Sequence, residues 1–197
     1  MTMESAHLTA LINHINRFTE LNASEKDLLG EFIQFKEIDN KEHLLKAGQI
    51  CKANYFVVKG CFRMYSHTDK GTEQIIQFGI DNWWITDYTS LETQQPSHLS
   101  IQALEPGIVG VLDRQLQDKL FMQLPKLERY FRQVLQRAYA ATLMRVHFIF
   151  NESGEQRYRN FNSLFPEFVQ RIPQYMLASY LGFTPEFLSK IRAKKEH

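Results

Sequence analysis

Between Lys36 and Leu112 turn-forming residues cut the chain into short apolar runs. His43–Lys46 stops at Ala47-Gly48, Tyr55–Val58 at Lys59-Gly60, and Phe62–Ser66 at Asp69-Lys70-Gly71. Thr72–Phe78, Leu99–Leu104 and Ile108–Leu112 follow, the last two separated by Glu105-Pro106-Gly107. Runs rich in β-branched and aromatic residues, closed by Gly, Pro and Asp, read as strands. The runs show no βαβ alternation, so a doubly wound parallel sheet is not expected. The pattern predicts an antiparallel barrel or jelly roll.

Helical texture flanks these strands. Leu8, Leu11, Ile12 and Ile15 recur at three- and four-residue steps, and Ser24 with Asp27 resembles a helix start before Leu28, Leu29 and Phe32. After Pro125, residues 126–150 contain neither Gly nor Pro, enough for a helix of roughly 37 Å. Leu127, Phe131, Val134, Ala138 and Ala141 follow a coiled-coil seam spacing, and Leu135, Tyr139, Thr142 and Val146 make a second stripe. Two apolar faces need two partners: the helix's own barrel and a second subunit, or two surfaces of one chain. Asn151-Glu152-Ser153-Gly154 then breaks the helix and is a candidate hinge.

Composition removes several classes. Of 197 residues, 44% are hydrophobic and 23% charged, an ordinary globular balance. No run approaches the roughly 20 apolar residues of a membrane helix. Met1–Ala10 lacks the basic cluster and apolar run of a secretory signal, so a cytoplasmic protein with no membrane partner is expected. Two cysteines, Cys51 and Cys61, are too few for a disulfide scaffold or a four-thiolate metal site. They read as small barrel residues or as a redox pair. The net charge of +1 hides an asymmetry. Residues 1–125 hold 11 Lys and Arg against 16 Asp and Glu, whereas 126–197 hold 12 against 6. A basic second part suits a polyanionic partner.

The last 25 residues carry the sharpest motif. Gln174–Leu181 reads as a short helix, Gly182-Phe183 as a turn, and Thr184-Pro185-Glu186 as the start of a second helix reaching about Lys194. Ala178, Gly182 and Leu188 meet the three demands of two steeply crossing helices: a small residue at the crossing, a turn tolerating positive φ, and an apolar anchor. The unit is a helix-turn-helix or an ordinary helical hairpin. In the first case Thr184, Glu186, Ser189, Lys190, Arg192 and Lys194 face DNA. Glu186 can accept from a cytosine amino group, Lys190 can donate to guanine, and the later cations can reach phosphate.

Barrel, long helix and terminal helix-turn-helix, in that order, resemble the Crp/Fnr (catabolite activator) family of transcription regulators. Leu44-Leu45-Lys46-Ala47-Gly48-Gln49 is similar to that family's entry to the cyclic-nucleotide-binding barrel, and Tyr55–Gly60 to its strand-and-turn signature. Arg171–Tyr175 through Leu188–Arg192 looks like a branch common in Bacteroidetes. The resemblance implies an α+β fold. Residues 1–125 would be a jelly-roll sensor barrel of the cyclic-nucleotide-binding type with N-terminal helices. Residues 126–150 would be the dimerisation and coupling helix, and 151–197 a helix-turn-helix domain with a reduced or absent wing, since little chain flanks the helix pair. It further implies a homodimer on a double-stranded DNA operator, with RNA polymerase as a candidate partner and no enzymatic activity.

Cyclic-nucleotide binders of the family carry Gly-Glu and, about ten residues on, Arg-Ser/Thr-Ala. Here the stretch is Asp81–Tyr88 followed by Pro96–Ser100, and no arginine lies between Arg63 and Arg114. A buried phosphate needs a compensating cation, and neutral His98 replaces it poorly. The expectation is no cofactor and no cyclic nucleotide held in the usual mode. Asp87 is the residue that could stand where the family has Glu, and Trp83, Trp84, Asp87, Tyr88 and His98 are the candidates for lining an unknown small-molecule pocket. The aromatic residues fit packing between barrel and helix equally well. An iron–sulfur sensor lacks its four cysteines, and the histidines single out no haem ligand. His43, His67 and His98 are scattered, which speaks against a metal enzyme. The alternative function is a ligand-binding or protein-interaction module on the same fold that has lost DNA binding.

Overall fold

Successive side chains of a strand point to opposite faces, and here each face meets a different apolar layer. The computed structural model describes residues 3–193. Helices α1 (Met3–Asn16) and α2 (Ala23–Phe32) precede β1 (Gln34–Ile38), β2 (His43–Leu45), β3 (Ala53–Lys59), β4 (Cys61–His67), β5 (Glu73–Ile80) and β6 (Trp84–Ile85). A short α3 (Tyr88–Thr93) leads to β7 (Ser100–Ala103) and β8 (Gly107–Asp113). Then come α4 (Arg114–Gln123), α5 (Lys126–Asn151), α6 (Gly154–Leu164), α7 (Pro166–Arg171), α8 (Gln174–Leu181) and α9 (Pro185–Ala193).

The strands form two four-stranded sheets, ordered β1-β8-β3-β6 and β2-β7-β4-β5, with antiparallel pairing throughout the described ladders. The expected jelly roll is present, and each of the six apolar runs forms a strand. Val57, Phe62, Met64, Ile85, Ile101 and Val109 point between the sheets and are buried there with Leu45, Cys51 and Leu91. Glycine is needed where β3 turns into β4. Gly60 sits at φ +124, and a Cβ on Gly107 would stand 2.6 Å from the Lys59 carbonyl.

The opposite face of the first sheet carries Phe56, Trp84 and Leu112, which meet Leu11 and Ile15 of α1, Leu29 of α2, Leu120 of α4 and Leu127, Tyr130 and Phe131 of α5. Tyr130 is fully buried and remains satisfied: its hydroxyl accepts the Trp84 indole N–H at 2.8 Å and lies 2.7 Å from His14 Nδ1. Burial pushes its pKa up, partly offset by the Trp84 bond. The α2 start falls two residues before the expected Ser24. Asn22 caps it, its side chain accepting from Glu25 N–H while Glu25 returns a bond to Asn22 N–H.

The chain divides into two compact units. One runs to Ser66 and takes in Gln77–Leu135, while the other comprises His67–Ile76 and the residues from Gln136 onward. The division falls inside α5. In the second unit, the break after α5 is closed by hydrogen bonds. Ser153 and Gln156 form a capping box, and the Arg157 guanidinium donates to the carbonyls of Ile149 and Glu152. Two short helices, α6 and α7, precede the terminal helix pair. They bury Tyr158 and Val169 within the second unit.

Candidate nucleic-acid interface

The terminal helix pair is built as its three small or apolar positions demand. Ala178 is fully buried at mid-helix, and Leu188 and Ile191 of α9 are buried with Leu177 and Leu181 of α8. Gly182 takes φ +79, with no atom within 4 Å of a Cβ placed there. The requirement is therefore conformational, not one of space. The Phe183 N–H reaches back to the Ala178 carbonyl at 3.1 Å and closes α8. Thr184 caps α9, accepting from Phe187 N–H at 3.3 Å, with Pro185 as first helical residue. Gly154 supports α9 from α6, since a Cβ on it would overlap the Phe187 ring.

This packing leaves Thr184, Glu186, Ser189, Lys190 and Arg192 exposed, while Leu188 and Ile191 anchor the other face. Lys194, the sixth DNA-binding candidate, lies outside the described residues. Glu186 is held below the usual carboxylate range by its own backbone N–H and the Thr184 hydroxyl, so it is an acceptor at neutral pH. Lys190 and Arg192 stand in the last turn of α9, where cations also oppose the helix dipole. A helix with an acceptor at its N-terminus and two cations further along can contact base edges first and phosphates later. On α8, Tyr175 and Ser179 stand four residues apart and share one face.

The five pocket candidates do not gather on one surface. Trp84 lies in the helix-side core against Phe56 and Phe131, where its ring is a packing element. Trp83 is 44% and Tyr88 38% exposed, and His98 is exposed. Tyr88 accepts from the Asn54 amide at 3.3 Å, and burial of its ring raises its pKa. Asp87 is buried and occupied. Its carboxylate accepts from Thr89 N–H and Ser90 N–H as the N-cap of α3, and from the Ser97 hydroxyl at 2.6 Å. Cys51 and Cys61 are buried free thiols, and Cys51 Sγ lies 3.2 Å from the Thr86 hydroxyl. Among the described residues no cluster of three His, Cys, Asp or Glu could hold a metal, and no helix is long and apolar enough to cross a membrane.

Comparisons with known proteins bear on this arrangement. Residues 35–123 match the cyclic nucleotide-binding domain family. Over 183 residues the chain is 26% identical to the fumarate and nitrate reduction regulatory protein of Vibrio cholerae, covering 87% of this chain and 72% of that protein. The solved structure of FixK2 from Bradyrhizobium japonicum superposes with a TM-score of 0.66 at 15% identity, over 83% of this chain and 84% of that one. The c-di-GMP-responsive global regulator CLP of Xanthomonas campestris gives 0.72 at 13% identity, over 89% and 92%. The fold is that of the regulators built on a cyclic-nucleotide-binding-type barrel. The Vibrio cholerae relative, which matches most of the chain, is a regulatory protein by name, and this chain shares its barrel-type domain over residues 35–123.

Proposed function

We propose that two copies of this chain bind a double-stranded operator, each placing α9 in a major groove. The observation that carries this reading is the α8–Gly182–α9 geometry, which buries Leu188 and Ile191 and turns Glu186, Ser189, Lys190 and Arg192 outward. Dimerisation would use the second half of α5. There Leu135, Tyr139, Leu143, Val146 and Phe150 recur along the helix at 40–81% exposure, a stripe that needs an apolar cover. A two-fold axis along that stripe would present two reading helices to half-sites roughly 34 Å apart. The setting is the cytoplasm, and RNA polymerase is the further partner a regulator of this kind would meet. The run Arg171–Tyr175 supports a place in the branch common in Bacteroidetes.

We further propose that no cofactor is held and that no cyclic nucleotide binds in the usual mode. The Asp87 carboxylate is committed to α3 and Ser97, and the space between the sheets is filled by Phe62, Met64, Leu91 and Ile101. The position where a phosphate would need a cation offers Ser97, which spends its hydroxyl on Asp87. Any effector would then be a different small molecule.

Lys190→Ala combined with Arg192→Ala tests the DNA reading in a gel shift. Removing two cations should lower affinity on all sequences and flatten its salt dependence by about one unit of slope for each phosphate no longer neutralised. Unchanged affinity and slope would remove α9 from the interface. A thermal-shift titration with cyclic AMP and cyclic GMP tests the effector reading. A saturable rise would refute it, because a native-state ligand stabilises by about 2.7 kcal/mol at a hundred times its Kd.

A further inference from the structure

DNA reading by α9 leaves one set of hydrogen bonds in the second unit unexplained. β5 is the outermost strand of its sheet, so one side of its backbone lacks a strand partner. At the start of β5, Ser179 of α8 takes that place. Its hydroxyl accepts the Ile75 N–H at 2.9 Å and donates to the Glu73 carbonyl at 3.4 Å. The Gln74 amide donates to the Ser179 carbonyl at 2.7 Å. Arg145 fastens the same elements from α5. Its guanidinium donates to the Ile76 carbonyl at 2.5 Å and the Tyr180 carbonyl at 2.8 Å, and lies 3.9 Å above the Tyr180 ring. Desolvation lowers the Arg145 pKa, but it stays a cation at any physiological pH.

These bonds sit where DNA would have to pass. Thr72 and Gln74 form one wall of a cleft of about 420 Å³, and Tyr175, Ser179, Thr184 and Pro185 form the other. A reading helix enters the major groove N-terminus first, with the phosphate backbones running along its flanks. Thr184 and Pro185 are that N-terminus, and Tyr175 and Ser179 line the α8 face beside it. The segment bound there carries Asp69, Lys70 and Glu73, a formal balance of one negative charge, which does not attract a polyanion.

We propose that residues 67–76 form an autoinhibitory clasp. They hold Ser179 and cover the flank of the helix pair that a DNA backbone would use, so the duplex must displace them. The clasp rests on the DNA-reading proposal and adds a regulatory step to it. The bonds that Ser179 and Gln74 make here join neutral groups. It therefore reduces the competent fraction without abolishing binding, and apparent affinity scales with that fraction.

The test uses the full chain, a labelled mixed-sequence duplex of about 30 base pairs and salt near about 50 mM, where non-specific binding is readable. Gln74→Ala removes one clasp bond outside the DNA-reading face and should tighten binding about three- to tenfold. In the wild type, the Ile75 amide should be protected from hydrogen exchange in the free protein and lose that protection in saturating duplex. If Gln74→Ala fails to fold, the wild-type exchange measurement decides alone. Binding with unchanged affinity in Gln74→Ala, or an Ile75 amide still protected in saturating duplex, overturns the clasp and leaves DNA reading intact. No binding by wild type or variant overturns DNA reading, and the clasp falls with it.

Discussion

The two halves of α5 are one continuous helix with opposite fates. Leu127, Tyr130 and Phe131 are at most 7% exposed, inside the layer that covers the first sheet, whereas Tyr139, Leu143 and Phe150 stand at 66%, 50% and 81%. Both halves are amphipathic, and neither contains a helix breaker. The difference lies in what is at hand to cover each stripe. The first half has Phe56, Trp84, Leu11 and Ile15 of its own chain to pack on. The second half leaves Tyr139, Leu143, Val146 and Phe150 on the surface. A hydrophobic repeat thus reports that a face needs a partner, and the fold decides whether the chain supplies one.

Four measurements would break or sharpen that contrast. Phe131→Ala should have the largest effect. It leaves a cavity among Trp84, Phe121 and Tyr130 and should cost about 3–5 kcal/mol in urea unfolding. Tyr139→Asp comes next. It should leave that core intact yet shift sedimentation from dimer to monomer and weaken operator binding about a hundredfold, because a linked pair of readers becomes a single one. Equal falls in core stability in both variants would show that the two halves do not differ as described. Tyr130→Phe should cost about 1–3 kcal/mol, because the buried Trp84 N–H loses its acceptor and His14 loses its bond to the hydroxyl.

The smallest effect concerns how the buried half is tied at its start. Lys126 at the head of α5 bonds Glu25 at 2.9 Å, which lowers the Glu25 pKa. A carboxyl depressed in the folded state stabilises above its unfolded pKa, and the stabilisation is lost as pH falls through the lowered value. Glu25→Gln should therefore slightly flatten the acid limb of the stability–pH curve, and an unchanged limb would mean that the exposed pair contributes nothing.

Much of this fold is legible in the amino-acid sequence. Strand runs between turn residues, a helix free of Gly and Pro, and the Ala178–Gly182–Leu188 pattern depend on local rules, and the chain obeys them. The two-residue β6 and short β1 are not legible, because neither has room for a period. Trp84 and Asp87 show a deeper limit. An aromatic pair and a carboxylate near a family ligand position read as a pocket, yet Trp84 packs on Tyr130 and Asp87 caps α3. Residue type gives the chemistry a side chain can do, while burial and partners decide which part of it is used. Ser179 is invisible for the same reason, since a mid-helix serine carries no signal of the strand it will meet.

The commitment of Asp87 also shapes what this lineage can become. An arginine introduced near Ser97 or Leu99 would supply charge for a phosphate, but alone it would meet a carboxylate already bonded to Thr89, Ser90 and Ser97. Freeing that carboxylate for a sugar hydroxyl uncaps α3, at a cost of about 1 kcal/mol or more. On the proposed reading a nucleotide-binding descendant would need both changes, and the one that frees the carboxylate is a loss in stability.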